Sequence, residues 1–535
     1  MLLSYPMDYS QCADRGAEAL LPCSPDNVWQ VRSANTQALQ VPLWPYIVAC
    51  LHQSISTPGD LVRVLQSLAI GSRVPTFVCL HRALQEKLND NERAVFFDQV
   101  FPLMRRLILE LPFRFPTPPD LLISSPPSTK SSSLHEAQIR SLHLSRVDIF
   151  SLLSAAFCCI MPSQDRHIEA RRVDFPWCNL LMMMSAASNS PDAIELKASK
   201  LRAILEYFLR VGQRIDDDMG SVEREIVTYS RVSVAVDIEN ADTMSSAAVR
   251  QLIASRSLPP VRLETNVLIE DLDAHLQIDF ANEYAGGGVM NSGCVQEEIR
   301  FLLSPELLLS CLVFARLEHH ESFVIHGTER FSNYIGYGFK YRFAGATQDA
   351  TPLEDIMIDE RQRRRRASVV VGIDALCFGG RSFTEQFSAR CITRDLVKAF
   401  AGFALPTEST AAWPVASGNW GCGVFGGDPE LKFLIQWLAA TAASRSLVYV
   451  MFDNSGDLKE KIESILRLLA QAPEAARDQL AGWLLEGLWT LEAQLGPAAS
   501  SRRPPRGQRQ PQGLDQGSVL ERVQAFIARK LAAQM

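Results

Sequence analysis

The sequence predicts an α/β fold, a mixed sheet flanked by helices, with a mainly helical accessory region in front of it. Three observations predict it. From Met1 to about Asp217 apolar residues recur every three or four positions, as in LVRVLQSLAI, AVFFDQVFPLMRRLILEL, LSRVDIFSLLSAAFCCIM and KASKLRAILEYFLRV. After the acidic turn Asp216 to Asp218 the pattern changes to short β-rich runs: EIVTYSRV, VRLETNV, HLQIDFA, ESFVIHG, SVVVGIDA and SLVYVMF. Helical stretches such as EEIRFLL, PELLLSCLVFARL and LKFLIQWLAATAA separate those runs, the alternation of a layered sheet.

The elements follow in order. Residues 1–217 form the helical accessory region, in which FPTPPDLLISSPPSTKSSS, residues 115–133, is expected to be a flexible insert because prolines and serines break any helix. Residues 218–465 form the α/β domain and residues 466–496 C-terminal helices. Residues 497–517, rich in Pro, Gln and Arg, are expected to be a disordered linker to a last amphipathic helix at 518–535, VLERVQAFIARKLAAQ.

Composition bounds the function. Of 535 residues, 47% are hydrophobic and 21% charged, enough to bury a core, and the net charge of -7 excludes a basic nucleic-acid coat. The twelve cysteines contain no CxxC pair, so reduced thiols and a reducing compartment are expected. No apolar run reaches the roughly 18 to 20 residues of a membrane span, and MLLSYPMDYSQC lacks a basic n-region with a long apolar h-region, so a soluble intracellular protein is expected. His319 and His320 stand side by side without an HExxH pattern, and no GxSxG is present; neither a metal nor a cofactor is expected.

The chemistry is expected in HLQIDFANEYAGGGVMNSGCVQEEIRFLL, His275 to Leu303, which reads strand, glycine loop, helix. Gly286, Gly287 and Gly288 let a ligand approach the backbone, and the helix after Val295 aims free N–H groups at the loop, a natural anion pocket. Glu297 and Glu298, on neighbouring helical positions, point about 100° apart and must differ in role. The helix dipole favours their ionised forms, so an acid role needs burial or a nearby diphosphate. A second glycine segment, ASGNWGCGVFGGDPELKFLIQWL, feeds another helix with Asp428 placed to cap it, and two such loops could clasp one diphosphate.

GGGVMNSGCVQEE resembles the signature of the poly(ADP-ribose) glycohydrolases, and the likeness continues through QIDFAN, IRFLLSPELL, HGTERFSNYIGYG, VVGIDAL, GNWGCGVFGGDPELKFLIQ and VYVMF. The resemblance implies a macrodomain-like sheet joined to a helical region, and hydrolysis of ribose–ribose O-glycosidic bonds of poly(ADP-ribose). It implies Glu298 as the acid/base and Glu297 as the group orienting ribose hydroxyls. By the same resemblance Asn282 contacts the scissile ribose and Asp279 belongs to that strand-end block. Gln296, Ile269 and Glu270 match the adenine end, Tyr337 a flap over the ligand, and Phe452 an adenine-stacking ring. Gly421, Gly423, Val424, Phe425 and Gly426 match the diphosphate loop, with Phe425 against the terminal ribose. The implied partners are the polymer and ADP-ribosylated proteins, without sequence-specific nucleic acid or membrane, for a monomer in the nucleus and/or cytoplasm serving the DNA damage response. Two other readings stay open: a reader that binds ADP-ribose without cutting, and a hydrolase of another ADP-ribosyl linkage. The run Arg363 to Arg366 is read as a solvated loop face, with nuclear targeting, a phosphorylation context before Ser368 and a grip on the polymer as alternatives.

Overall fold

A computed structural model describes residues 17–31, 39–69, 75–124, 137–168, 171–186, 190–234, 246–253, 256–379, 383–405, 410, 412–451, 456–495 and 517–534. One eight-stranded sheet organises them. In chain order its strands are β1 (Ala137–Ser145), β2 (Ile226–Val234), β3 (Val261–Glu264), β4 (Leu276–Asp279), β5 (Glu321–His326), β6 (Val369–Gly372), β7 (Val415–Ser417) and β8 (Leu447–Val450). Across the sheet the order is β1-β2-β5-β6-β4-β7-β8-β3. The run from β6 to β3 is parallel, whereas β5 lies antiparallel to β6 and to β2, and β1 antiparallel to β2. The sheet is therefore mixed.

This order positions the site. The chain leaves β4 on one side to form β5 and β6, then returns on its other side as β7, which makes β4 a topological switch point. Ligands in such sheets bind outside the carboxyl ends of the strands at that point. Both glycine segments issue from there, one after Asp279 and one after Ser417.

All six β-rich runs are strands of the sheet, and two further strands had no such signal. β1 pairs along its whole length with β2, from Ala137 opposite Val234 to Ser145 opposite Ile226, although it comes from the region expected to be helical. An edge strand needs no continuous apolar run, and AQIRSLHLS leaves most of its side chains open to solvent at that edge. β7 is only three residues long.

Helix α1 (Arg146–Phe157) leaves β1 directly, because Ser145 caps it: the Ser145 hydroxyl accepts the Asp148 N–H at 3.1 Å and Asp148 accepts the Ser145 N–H at 3.2 Å. Helix α2 (Pro191–Arg224) runs past the acidic turn expected at Asp216 to Asp218. Asp218 is a kink inside it (φ -153°, ψ 84°), and its carboxylate accepts the Ser221 N–H at 3.1 Å, which restarts the helix. PELLLSCLVFARL, expected as one helix, is a 3-10 turn (Pro305–Leu309) and one short turn of α-helix (Ser310–Val313).

The insert expected at 115–133 divides. Phe115, Leu121 and Leu122 are buried, and the Leu122 N–H bonds to the Val313 carbonyl at 2.7 Å; residues 125–133 lie outside the described residues, as do 497–516 of the expected linker. Three apolar side chains outweigh the prolines.

Two cores cover the two faces of the sheet. One runs from Phe96, Phe150 and Phe208 of the helical region to Phe301 beside the glycine loop and Phe323 on β5. The other holds helices α4 (Ala389–Phe403) and α5 (Pro429–Ala442) and the helices at Gly456–Ala470, Leu480–Trp489 and Val519–Ala532. The last helix buries Leu520, Val523 and Ile527, and the Leu520 N–H donates to Glu430 of α5 at 2.8 Å.

A buried ion network joins the helical region to the sheet. Arg146 reaches Glu306 at 2.7 Å, Glu225 at 2.9 Å and Glu329 at 3.0 Å, and Glu329 also meets Arg366 at 3.0 Å and Arg214 at 3.1 Å. This corrects the reading of Arg363 to Arg366 as a solvated loop face. The run is a strand, Arg361–Arg366, paired with Leu353–Ile358; Arg365 stands opposite Glu354, Arg364 opposite Asp355, and Arg366 is buried on Glu329. Among the described residues no helix is long and apolar enough to cross a membrane.

Candidate active site

The first loop is folded around its own carboxylates. Helix α3 (Gln296–Leu303) starts beneath it and carries Glu297 and Glu298 on its first turn, both buried. Glu297 accepts the Gly286 N–H at 2.8 Å and the Asn282 N–H at 3.0 Å. Glu298 accepts the Gly288 N–H at 2.8 Å and the Val295 N–H at 2.7 Å. Each Glu thus fixes two points of the loop.

The glycines are required by this closeness. Gly286 and Gly287 have φ of +90° and +50°. A Cβ on Gly287 would strike Glu297 Oε2 and lie 2.9 Å from Glu298 Oε1. On Gly293 it would lie 2.7 Å from Glu298 Oε1 and 2.8 Å from the Gly288 Cα. Any side chain at these positions pushes the carboxyls aside.

Asp279, at the end of β4, is fully buried, and neither carboxyl oxygen has a hydrogen-bond partner among the described residues. Burial, and to a lesser degree the neighbouring Glu298 carboxyl, hold its carboxyl well above the usual range, against the pull of Arg300. Burial raises Glu297 likewise, helped by Asp279 and Glu298 and opposed by its two N–H donors. Burial beside one another thus favours the neutral form of both Asp279 and Glu297.

Lys200, on α2, is a participant the sequence did not single out. It is fully buried, and its Nζ donates to the Asn291 carbonyl at 2.8 Å and the Gly293 carbonyl at 2.6 Å, tying the helical region to the far end of the loop. Burial pushes its ammonium down to about 8. A lysine on an amphipathic helix reads as a solvated group, so no signal could have found it.

Tyr337 reaches over the helix start. It is 52% exposed, its hydroxyl accepts the Gln296 N–H at 3.2 Å, and the next residue, Gly338, donates its N–H to the Cys294 carbonyl at 2.8 Å. The Gln296 side chain faces the other way: its amide oxygen accepts the Phe280 N–H at 2.8 Å and its NH2 donates to the Ile278 carbonyl at 3.1 Å. It splices α3 to the end of β4. Ile269 is buried in a 3-10 turn (Ile269–Asp271), and the Glu270 carboxylate bonds the Tyr334 hydroxyl.

The second loop begins against the first, since a Cβ on Gly418 would lie 2.5 Å from the Val450 carbonyl oxygen and 3.5 Å from Phe280 Cζ. Gly421 and Gly426 have φ of +72° and +76°, and the Gly427 N–H closes back on the Gly421 carbonyl at 2.9 Å. Gly423 and Val424 are exposed at the tip, and Phe425 is half-buried, its carbonyl accepting the Phe378 N–H at 2.7 Å. Asp428 caps α5 through the Leu431 N–H at 2.9 Å. Lys432 beneath the loop is committed to Asp395 and to the Trp420 ring, so the loop offers backbone N–H groups rather than a cation. Phe452 lies outside the described residues.

Two loops at the switch point of a mixed sheet, over a buried carboxyl cluster, fit a macro-domain hydrolase. Residues 250–458 match the family model described as Poly (ADP-ribose) glycohydrolase (PARG), Macro domain fold, and residues 88–231 the model described as its helical domain. Poly(ADP-ribose) glycohydrolase 1 of Arabidopsis thaliana is 29% identical over 481 residues, covering 76% of this chain and 78% of the relative. Poly(ADP-ribose) glycohydrolase 1 of Caenorhabditis elegans is 38% identical over 219 residues, 40% of this chain and 28% of the relative, and glycohydrolase 2 of that organism 35% over 272 residues, 50% and 53%. The chain belongs to the poly(ADP-ribose) glycohydrolase family, a group of glycoside hydrolases.

Proposed function

We propose that the chain releases ADP-ribose from poly(ADP-ribose) by acid/base catalysis through Glu298. Cleavage of the ribose–ribose bond passes through an oxocarbenium-like state, so the leaving 2'-oxygen needs a proton while positive charge grows on the ribose left behind. Glu298 gives that proton, and its carboxylate then takes one from the attacking water. Glu297 and Asn282 orient the ribose hydroxyls. The Gly421 to Gly426 loop holds the diphosphate by backbone N–H groups while the Cβ-free Gly286 to Gly288 turn lets the ligand close on the carboxyls, and the diphosphate charge stabilises the cationic sugar. Tyr337 covers the bound unit and Phe425 packs against its terminal ribose; Ile269, Glu270, Gln296 and Phe452 bound the adenine end, Gln296 by shaping the strand end.

One observation carries this reading: a buried carboxyl cluster lies directly under three consecutive glycines, with Glu298 held by the Gly288 and Val295 N–H groups. Glu298→Gln is expected to lower ADP-ribose release from polymer by about 10^2- to 10^4-fold. Turnover at the wild-type rate removes Glu298 from the role, and wild-type protein that binds polymer without cutting it makes the chain a reader. Every described cysteine is a free thiol, which supports a reducing nuclear and/or cytoplasmic setting for a monomer acting on polymer-carrying proteins.

A further inference from the structure

A cleft of about 460 Å³ opens beside the first glycine loop, between it and the segment of the helical region around Trp177. One wall holds Asn282, Tyr284, Gly287 and Asn291, the other Trp177 and Met182. Its size falls in the usual range for small-molecule sites, about 300 to 1,000 Å³. Asn282 and Gly287 belong to the glycosidic site as well, so the cleft continues it. Trp177 is 39% exposed and Met182 44%, yet the Trp177 indole is fixed by its Nε1–H, which donates to the Met161 carbonyl at 3.3 Å. The indole is thus partly exposed in the cleft wall and anchored at one edge.

The charge of the cleft says what it receives. No Asp, Glu, Lys, Arg or His is among the described residues lining it; its polar side chains are three amides, one phenol, the Trp177 indole and the Cys311 thiol. A diphosphate finds no partner there. In poly(ADP-ribose) the oxygen released at the scissile bond is the 2'-oxygen of an adenosine, so the first moiety beyond the bond is neutral, aromatic and rich in hydrogen-bonding edges. We propose that this cleft binds the adenosine of the leaving unit, with its adenine stacked on Trp177. The proposal rests on the hydrolytic reading of Glu298 and extends it to the far side of the bond.

Base stacking on an aromatic ring is worth enough for Trp177→Ala to lower kcat/KM on polymer roughly five- to hundred-fold, mostly through KM. Inhibition by the product ADP-ribose, which reports the other side of the bond, stays within about twofold of wild type, and Trp177→Phe recovers most of the loss. Met182→Glu, at an exposed position, places a carboxylate in the neutral cleft and lowers kcat/KM without touching the indole. Wild-type kcat/KM in both the Trp177→Ala and Met182→Glu proteins overturns the proposal, as does a parallel weakening of ADP-ribose inhibition, which would put the cleft on the donor side. A wild-type chain that releases no ADP-ribose overturns the hydrolytic reading itself, and the proposal with it.

Discussion

Replacing Lys200 by Met tests whether the helical region sets the geometry of the loop. The ammonium makes charge-assisted bonds to the Asn291 and Gly293 carbonyls, worth about 1.5 to 3 kcal/mol each, or roughly 3 to 6 kcal/mol together. Against this, lowering the ammonium from 10.5 to about 8 corresponds to a burial cost of about 3 kcal/mol. Net destabilisation is therefore modest, about 0 to 3 kcal/mol. The effect on rate is larger, because Gly293 packs against Glu298 and a misplacement of about 1 Å costs on the order of 10^2-fold. Lys200→Met is expected to lower kcat some 10- to 100-fold, measured as ADP-ribose release from polymer.

The pH dependence separates rate from stability. Wild-type activity should decline as pH rises through about 8, where Lys200 loses its proton and its hold on the carbonyls weakens. Stability moves the other way: the folded state binds this proton less tightly than the unfolded chain, so between about 8 and 10.5 rising pH favours folding through this group. Of its charged neighbours, Cys294 is pushed up to about 12 and titrates well above this window. The variant should lack the alkaline decline. Wild-type kcat with an unchanged alkaline limb in the Lys200→Met protein refutes the reasoning.

Gly287→Ala should fold and lose most activity, since positive φ costs about 1 to 2 kcal/mol for Ala and the added Cβ displaces the Glu297 and Glu298 carboxyls; activity and chemical denaturation together check it. Glu329→Gln, which leaves the buried Arg146 short of a charge, should destabilise by about 3 to 5 kcal/mol in urea titration. Removing residues 518–535 uncovers the surface that Leu520, Val523 and Ile527 bury, each worth about 1.5 to 3 kcal/mol, and should lower the melting temperature and promote aggregation seen by light scattering.

The sequence made legible whatever depends on short-range pattern. Six strands announced themselves through β-branched and aromatic runs, and the Gly286 to Glu298 stretch carried its own geometry, because glycines that admit a carboxylate must stand next to the carboxylate. Features that depend on distant partners stayed hidden. β1 has a recognisable partner only in β2, about 90 positions later, and β7 is too short for alternation to register. Lys200 and Arg366 look like solvent-facing cations until the carbonyls and carboxylates that take them inside are known. Gln296 shares the motif with Glu297 and Glu298, yet its amide is spent on the backbone of Ile278 and Phe280.

The pairing of β1 with β2 has a practical side. An excised fragment starting near residue 218 would keep both glycine loops and the Glu297–Glu298 turn, but it would lose Lys200 and strip nine consecutive positions of β2 of their neighbour. Such a naked margin recruits other chains and favours insoluble material. Anyone trimming this polypeptide for expression should therefore begin upstream of Ala137.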